Sequence, residues 1–363
     1  MKGKKYLIGQ LGCYGDCLYA TTIAKQLKHN NPDCRVTWAI SPKYKSILNL
    51  NPHIDDIWIV ENKTNDLYNE GWREFEQEAV KRKERGVYDE LILSQIPNSN
   101  WNRFNGTIRS SILSAYNGKI TVDVAPVIKL SDEEVENVRE FANKYGIKKY
   151  KNVVLFECTP GSGQSEMNFE TALDIAKQVT MDNQDTCFIL STLSELAEIN
   201  PQIISARELS FRENAELTKY CTLLIGCSSG LTWLATSDWA KRLPTIQVLS
   251  KTYTLFAGVR YDFKKWSMAN DNIVELLSPE KNKIVNSIIS FINKGIKETV
   301  KQFNEDYKPS MGAFMSVSEY LRNNQHMGII GLLKFSYKFY KNNLHLNILK
   351  LMAFPILKKI KNK

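Results

Sequence analysis

The chain has 363 residues, enough for two domains of ordinary size that each bury a core of their own. Residues 1–320 carry 39 basic and 39 acidic side chains, whereas residues 321–363 carry nine basic and no acidic ones. A neutral body with a basic end argues against nucleic acid as a partner and favours an anionic surface. The start of the chain lacks the long apolar stretch of a secretory signal, so we expect a cytoplasmic protein.

The seven cysteines are odd in number and scattered, which argues against a disulfide framework and favours free thiols. Only Cys13 and Cys17 lie close together, with no second pair and no cluster of histidines. This spacing does not suit a structural zinc site. We therefore expect no zinc at these cysteines. A cofactor is not expected either.

Short β-rich runs alternate with helical or turn-rich segments in the first part of the chain. The predicted strands are KYLIGQ, CRVTWAI, DDIWIV and YDELILS, which begin at residues 5, 34, 55 and 88. This alternation predicts a parallel sheet. A helix follows, for which Ser131 and Glu134 form a capping box and Gly146 marks the end.

A second alternating series begins at residue 152 with NVVLFECTPGSG. It continues with a helix near 169–179 and with the predicted strands TCFILST, TLLIGCSS and LPTIQVLS. The sequence therefore predicts an α/β protein with two α/β domains in tandem, residues 1–148 and 149–295. The stretch 278–303 reads as one long amphipathic helix that docks back across the domains, and 296–363 is expected to be a helical C-terminal segment.

The basic tail places Lys334, Lys338 and Lys341 on one stripe of a predicted helix whose other sides are apolar. Its lysines interrupt the apolar run before the roughly 20 residues needed to span a bilayer. We expect the tail to lie on a membrane surface. Docking on the protein's own core and a dimer contact are the alternatives.

A glycine-rich turn follows the first predicted strand, with Gly9, Gly12 and Gly15 at three-residue spacing. The spacing matches neither the dinucleotide fingerprint nor the P-loop, although a turn of this kind before a helix suits an anion. Asp16 stands at the start of the helix. Its carboxylate could cap the helix, worth about 1 kcal/mol, or accept a proton from a hydroxyl.

Together these segments resemble glycosyltransferase family 9, the lipopolysaccharide heptosyltransferase family, over most of residues 4–250. The family pattern L-G-x-x-G-D corresponds to Leu11–Asp16, and later N-terminal motifs correspond to Pro32–Trp38 and Asn51–Asp55. In the second half the matching residues are Ser229, Gly230, Leu234, Ala235 and Pro244–Ile246. Both motif sets occur in the family's order and at its separation.

The resemblance implies a GT-B fold, in which two Rossmann-like domains with parallel sheets face a cleft. It also implies a metal-independent, inverting glycosyltransferase at the cytoplasmic face of the inner membrane. The nucleotide-sugar donor would bind the C-terminal domain, and a glycan or glycolipid acceptor would bind the N-terminal one. Asp16 becomes the candidate general base, and the acceptor-side loop contains Gln10, Gly12 and Gly15.

Two segments are candidates to hold the donor phosphates. One is the loop after residue 157, with Thr159, Gly161, Ser162 and Gly163; the other offers the hydroxyls of Ser228 and Ser229 and the backbone N–H groups of Gly230, Leu231 and Thr232. An ordinary turn and a simple helix cap are the alternatives.

The sequence departs from the family at several of these positions. The first loop lacks the family's cation, and Ser228, Trp233 and Gln10 replace its acid, histidine and arginine. These changes argue against heptose as the transferred sugar. Other cations near the second motif are expected to be solvated surface residues: Arg207, Arg212, Lys251, Arg260, Lys264 and Lys265.

Two further functions stay open at this stage. An epimerase or hydrolase of the same fold would act on a nucleotide sugar without an acceptor. A degenerate transferase would only bind glycan or nucleotide.

Overall fold

The computed structural model describes residues 3–61, 70–95, 107–196, 200–251 and 258–306. Within these ranges ten strands form two sheets, in which every strand pair is parallel. The predicted tail helix with Lys334, Lys338 and Lys341 lies outside the described residues.

The first sheet consists of β1 (Lys5–Gly9), β2 (Arg35–Ile40), β3 (Asp56–Ile59) and β4 (Glu90–Leu93) in the order β3-β2-β1-β4. These are the four strands predicted from the sequence. Helix α2 (Glu70–Glu84) covers one face, where Trp72, Phe75 and Ala79 pack against Leu7. Helices α1 (Tyr14–Asn30) and α3 (Ile108–Leu113) lie on the other face.

Helix α4 (Asp132–Lys144) connects the two sheets. Its predicted capping box is confirmed, because the Ser131 hydroxyl accepts from the Glu134 backbone N–H and the Glu134 carboxylate accepts from the Ser131 N–H. The helix ends at Lys144, and Gly146 follows its C-cap residue Tyr145 with a φ of 58°, which favours glycine over other residues.

The second sheet has the order β10-β9-β8-β5-β6-β7. Its strands are nearly continuous apolar runs, as expected for parallel strands that are buried on both faces. They are β5 (Asn152–Glu157), β6 (Thr186–Ser191), β7 (Ile203–Ser205), β8 (Leu223–Gly226), β9 (Thr245–Leu249) and β10 (Ile273–Leu277). The edge strands β7 and β10 were not predicted.

The helices of the second half are α5 (Phe169–Met181), α6 (Glu213–Leu217), α7 (Gly230–Leu234), α8 (Val259–Lys265), α9 (Lys281–Lys294) and α10 (Ile296–Phe303). The prediction of one long helix over 278–303 is wrong, because Gly295 adopts a φ of 76° and separates α9 from α10. The expected docking across the domains is also corrected. Helix α9 packs on α5 and α10 packs on α9 and β10, so both cover the second sheet.

One cluster of buried side chains runs through both halves of the molecule, from Ile8 and Trp38 of the first sheet to Leu155 and Ile189 of the second. Helix α1 lies inside this cluster, and most of its side chains are buried. The boundary at residue 148 stays a prediction. The two halves share a core, so they are packed together rather than merely linked.

All seven cysteines lie in the described ranges and are free thiols, as predicted. No helix within those ranges is long and apolar enough to cross a membrane.

Candidate functional site

The strand orders place the three loops of interest at the same kind of position. In the first sheet β2 and β3 are added on one side of β1, and β4 is added on the other side. In the second sheet β6 and β7 are added on one side of β5, and β8 to β10 on the other. The direction of strand addition therefore reverses between β1 and β4 and between β5 and β8. Ligands of doubly wound sheets bind in the crevice at the carboxyl ends of the strands at such a switch point. The turn before Asp16 follows β1, and the two candidate donor segments follow β5 and β8.

The turn after β1 is held together by buried polar side chains. Gln10 is fully buried, its side-chain amide donates to the Gly12 carbonyl at 2.7 Å, and its side-chain oxygen accepts from Ser94 at 2.8 Å. A Cβ on Gly12 would lie 2.5 Å from the ring of Tyr44. Gln10 and Gly12 therefore form the frame of the turn, and its assignment as the acceptor-side loop stays a prediction.

Asp16 lies in the first turn of α1 and is partly buried. Burial raises the pKa of its carboxyl group to about 7, and a hydrogen bond from the Cys13 backbone opposes the shift. A carboxylate with a pKa near neutral pH is suited to general acid–base catalysis. The geometry is thus compatible with the role that the resemblance implies for Asp16.

The first turn of α1 touches the second half of the chain directly. The Tyr14 ring stacks on Phe211 with a centroid distance of 4.4 Å. A Cβ on Gly15 would lie 3.0 Å from Trp233, and a Cβ on Gly230 would lie 3.2 Å from both Phe211 and Tyr14. The turn that contains Asp16 therefore meets the start of α7, with Gly15 beside Trp233. The assignment of Gly15 to the acceptor-side loop stays a prediction.

The backbone N–H groups at the start of α7 are already used by a carboxylate. Glu157, at the end of β5, accepts from the N–H groups of Leu231 at 2.9 Å and Thr232 at 3.2 Å. It also accepts from the Thr232 hydroxyl at 2.6 Å and the Cys227 N–H at 2.7 Å. The expectation that the Leu231 and Thr232 amides bind a donor phosphate is corrected, because Glu157 occupies them.

The hydroxyl groups of the second segment are differently placed. The Ser229 hydroxyl accepts from the Gly161 N–H at 3.1 Å, which joins the two predicted donor segments. Ser228 has a φ of 53°, and its buried hydroxyl has no partner among the described residues. Backbone strain and an unpaired buried polar group are features that often mark functional sites.

The remaining predicted donor residues lie in the exposed loop after β5. The Thr159 hydroxyl is 3.5 Å from the Ser191 carbonyl, and the Ser162 hydroxyl accepts from the Gln164 N–H at 3.3 Å. Gly163 has a φ of 69°, and nothing lies near an added Cβ there or at Gly161. These four residues form an open rim beside Ser229.

Two arginines that sequence reasoning missed or misjudged lie between the halves. Arg109 of α3 is fully buried and forms an ion pair with Asp262 of α8 at 2.8 Å. Arg212 was expected on the surface, yet its side chain is only 3% exposed. The sequence carries no local signal for either, because their partners are distant along the chain.

The described residues contain no group of three or more His, Cys, Asp or Glu side chains that could hold a metal ion. Metal independence stays a prediction. A cavity of about 400 Å³ lies beneath α7 and α8, lined by Thr245, Asn272 and Phe263 among others. It lies at the amino ends of β9 and β10, and Thr232 of the second candidate donor segment also lines it.

No family model matches the sequence, and no curated protein matches it. Among solved structures, a glycosyltransferase family 9 protein from Veillonella parvula is similar with a TM-score of 0.53 and 16% identity, covering 84% of this chain and 96% of that one. Heptosyltransferase WaaC from E. coli, with ADP-2-deoxy-2-fluoro heptose, has a TM-score of 0.51 and 12% identity, covering 80% of this chain and 99% of that one. The chain therefore has the GT-B fold of these glycosyltransferases, as predicted.

Proposed function

We propose that this chain is a glycosyltransferase of the family 9 type, of hexosyl or heptosyl specificity. It would transfer a sugar from a nucleotide donor to a hydroxyl of a cell-surface glycan or glycolipid, with a lipopolysaccharide-like acceptor. The contact between the Asp16 turn and the Ser229 turn is the observation that carries this proposal. In this contact Tyr14, two residues before Asp16, lies against Gly230, the residue after Ser229.

In the proposed reaction the acceptor hydroxyl attacks the anomeric carbon of the donor sugar. A bond forms between that oxygen and the carbon, the bond from the carbon to the phosphate oxygen breaks, and the proton passes to Asp16. Attack from the side opposite the leaving group inverts the configuration. General base catalysis of this kind contributes about 10² to 10⁴ in rate.

The leaving nucleoside diphosphate needs preorganised hydrogen-bond donors. We assign this role to the hydroxyls of Ser228 and Ser229 and to the loop of Thr159, Gly161, Ser162 and Gly163. The Gly161 N–H donates a hydrogen bond to the Ser229 hydroxyl. A phosphate bound here would replace this one hydrogen bond by two, one from each group. Since Glu157 occupies the N–H groups of Leu231 and Thr232, neutral hydroxyls and the Gly230 N–H carry most of the binding.

The basic tail supports a place at the membrane. Basic residues near an anionic leaflet contribute roughly 1 kcal/mol each, so some of the nine in residues 321–363 would suffice to hold the enzyme there. The cytoplasmic face of the inner membrane is the surface where a lipid-linked acceptor would be glycosylated.

A thermal-shift panel of ADP, UDP, GDP, CDP and dTDP tests the donor site. One of these nucleotides is expected to raise the melting temperature by several degrees at millimolar concentration, because a ligand that binds the native state stabilises it by mass action. ADP belongs in the panel because WaaC was also solved with ADP. If none of the five changes the melting temperature, the chain lacks the proposed donor site.

The matching sugar nucleotide is then incubated without an acceptor. A transferase should leave the donor sugar unchanged in configuration, whereas an epimerase would interconvert it without a second substrate. Conversion at full rate in the absence of acceptor would contradict transfer.

A further inference from the structure

Arg212, which the sequence predicts on the surface, forms hydrogen bonds to both side-chain and backbone oxygens. Its guanidinium forms a two-pronged ion pair with Glu134, at 2.6 and 2.8 Å. It donates to the carbonyls of Ser46 and Asn49, each at 2.9 Å, and to the Lys129 carbonyl. Only the planar fork of arginine can satisfy a carboxylate and three carbonyls at once.

These contacts join parts of the chain that belong to different halves. Arg212 immediately precedes α6, which belongs to the second half. Ser46 and Asn49 belong to the 3-10 helix Pro42–Leu48 and its cap in the first half, and Lys129 and Glu134 flank the start of α4. Arg212 therefore fixes the second half to the first at one point.

The residue next to Arg212 extends this contact into the candidate site. Phe211 stacks on Tyr14, two residues before Asp16, and also lies against Gly230, next to Ser229. A shift of Arg212 would therefore move Phe211 away from both turns. The position of Asp16 relative to Ser229 depends on this chain of contacts.

We infer that Arg212 is a positioning residue, which through Phe211 sets the distance between the Asp16 carboxylate and the donor phosphate site. This inference rests on the proposed function. A misplacement of about 1 Å between reacting groups can cost 10²-fold in rate, whereas a donor bound by one domain alone would not be affected. Loss of Arg212 should therefore lower kcat and leave nucleotide binding intact.

Arg212→Met is the first variant, and Arg260→Met is its matched control. Arg260 donates to the Asn270 and Ile273 carbonyls at 2.8 and 3.0 Å, within the second half alone. Nucleotide affinity is measured by calorimetry with whichever of the five nucleoside diphosphates stabilises the wild type. Turnover is measured with lipopolysaccharide as the acceptor, as release of that diphosphate from its sugar conjugate. Amide hydrogen exchange is followed over residues 14–17 and 42–49.

For Arg212→Met we expect a kcat about 100-fold lower, a nucleotide Kd within about twofold of wild type, and faster exchange in both segments. Arg212→Lys should recover only part of the rate, because an ammonium cannot replace the fork. Arg260→Met should keep the wild-type kcat and the wild-type exchange over 14–17 and 42–49.

Phe211→Leu provides the second variant, because it leaves the Arg212 side chain in place and removes the ring contacts of Phe211 with Tyr14 and Gly230. It should also lower kcat with little change in Kd, even if Arg212→Met fails to fold. Unchanged kcat and exchange in folded Arg212→Met, or a parallel loss of kcat and nucleotide affinity, would overturn the inference. If the wild type binds no nucleotide, the proposed function fails, while the exchange measurement still decides whether Arg212 holds the two halves together.

Discussion

Asp16→Asn is expected to abolish glycosyl transfer and to stabilise the fold at the same time. The amide cannot accept the proton from the acceptor hydroxyl, so kcat should fall by about 10² to 10⁴ while nucleotide affinity persists. In the wild type, kcat/KM should rise with pH through about 7, where the carboxyl group ionises. That rise should be missing from any residual activity of the variant.

The stability effect follows from the direction of the pKa shift. Burial raises the pKa of Asp16 in the folded state from 3.8 to about 7, so the folded chain binds this proton more tightly than the unfolded chain. Stability from this group is therefore present below about pH 4 and lost as the pH rises through about 7. Asparagine does not ionise, so the Asp16→Asn variant does not lose this stability as the pH rises.

A tenfold change in an ionisation constant is worth about 1.4 kcal/mol, and the partial solvent contact of Asp16 reduces the effect. We expect Asp16→Asn to raise the free energy of unfolding by about 2 kcal/mol at pH 8 and by little at pH 4, as measured by urea unfolding. Asp56→Asn is the matched control, because Arg35 lowers the pKa of Asp56 and this variant should gain no stability at pH 8. Full transferase activity in Asp16→Asn would remove Asp16 from the mechanism.

The second large effect is expected at the ion pair between Arg109 and Asp262. Both side chains are almost fully buried, and Arg109 also donates to the Val124 carbonyl at 2.5 Å. Arg109→Met leaves the Asp262 carboxylate buried without its cation. Breaking a buried pair in this way costs about 3 to 5 kcal/mol.

Removal of both charges should be much less harmful. The Arg109→Met/Asp262→Leu double variant leaves no unpaired charge, and such replacements are often neutral or stabilising. Arg109 Nη2 and Asp262 Oδ1 have no hydrogen-bond partner among the described residues, so the pair is incompletely satisfied. Urea unfolding of the single and double variants measures the coupling. Additive losses in the double variant would show that the pair does not act as a unit.

Much of the fold could be predicted because its signals are local. Each predicted strand is a short apolar run between turns, and the Ser131 capping box is set within four residues. Gly295 was missed as a helix break because its apolar neighbours continue the same helical pattern on either side. The edge strand β7 has only three residues, too few for a periodicity.

The candidate site was harder to predict, because its contacts join distant residues. The start of α7 looks from sequence like a free anion site, but Glu157 is 70 residues before Cys227, whose N–H it accepts. Gln10 stands in a loop that looks exposed, yet Ser94 is 84 residues away and covers it. Arginine is usually a surface residue, so the sequence predicts that Arg212 is exposed. Its partners become visible only where the two halves pack together.

A crystal structure with the nucleoside diphosphate that the thermal-shift panel identifies tests the central claim most directly. We predict that its phosphates lie within hydrogen-bonding distance of the Ser229 hydroxyl and the Gly161 N–H, with the Asp16 carboxylate on the opposite side of the space for the sugar, across from the leaving oxygen. A nucleotide bound in the cavity beneath α8, or one bound with Asp16 turned away from it, would contradict the claim.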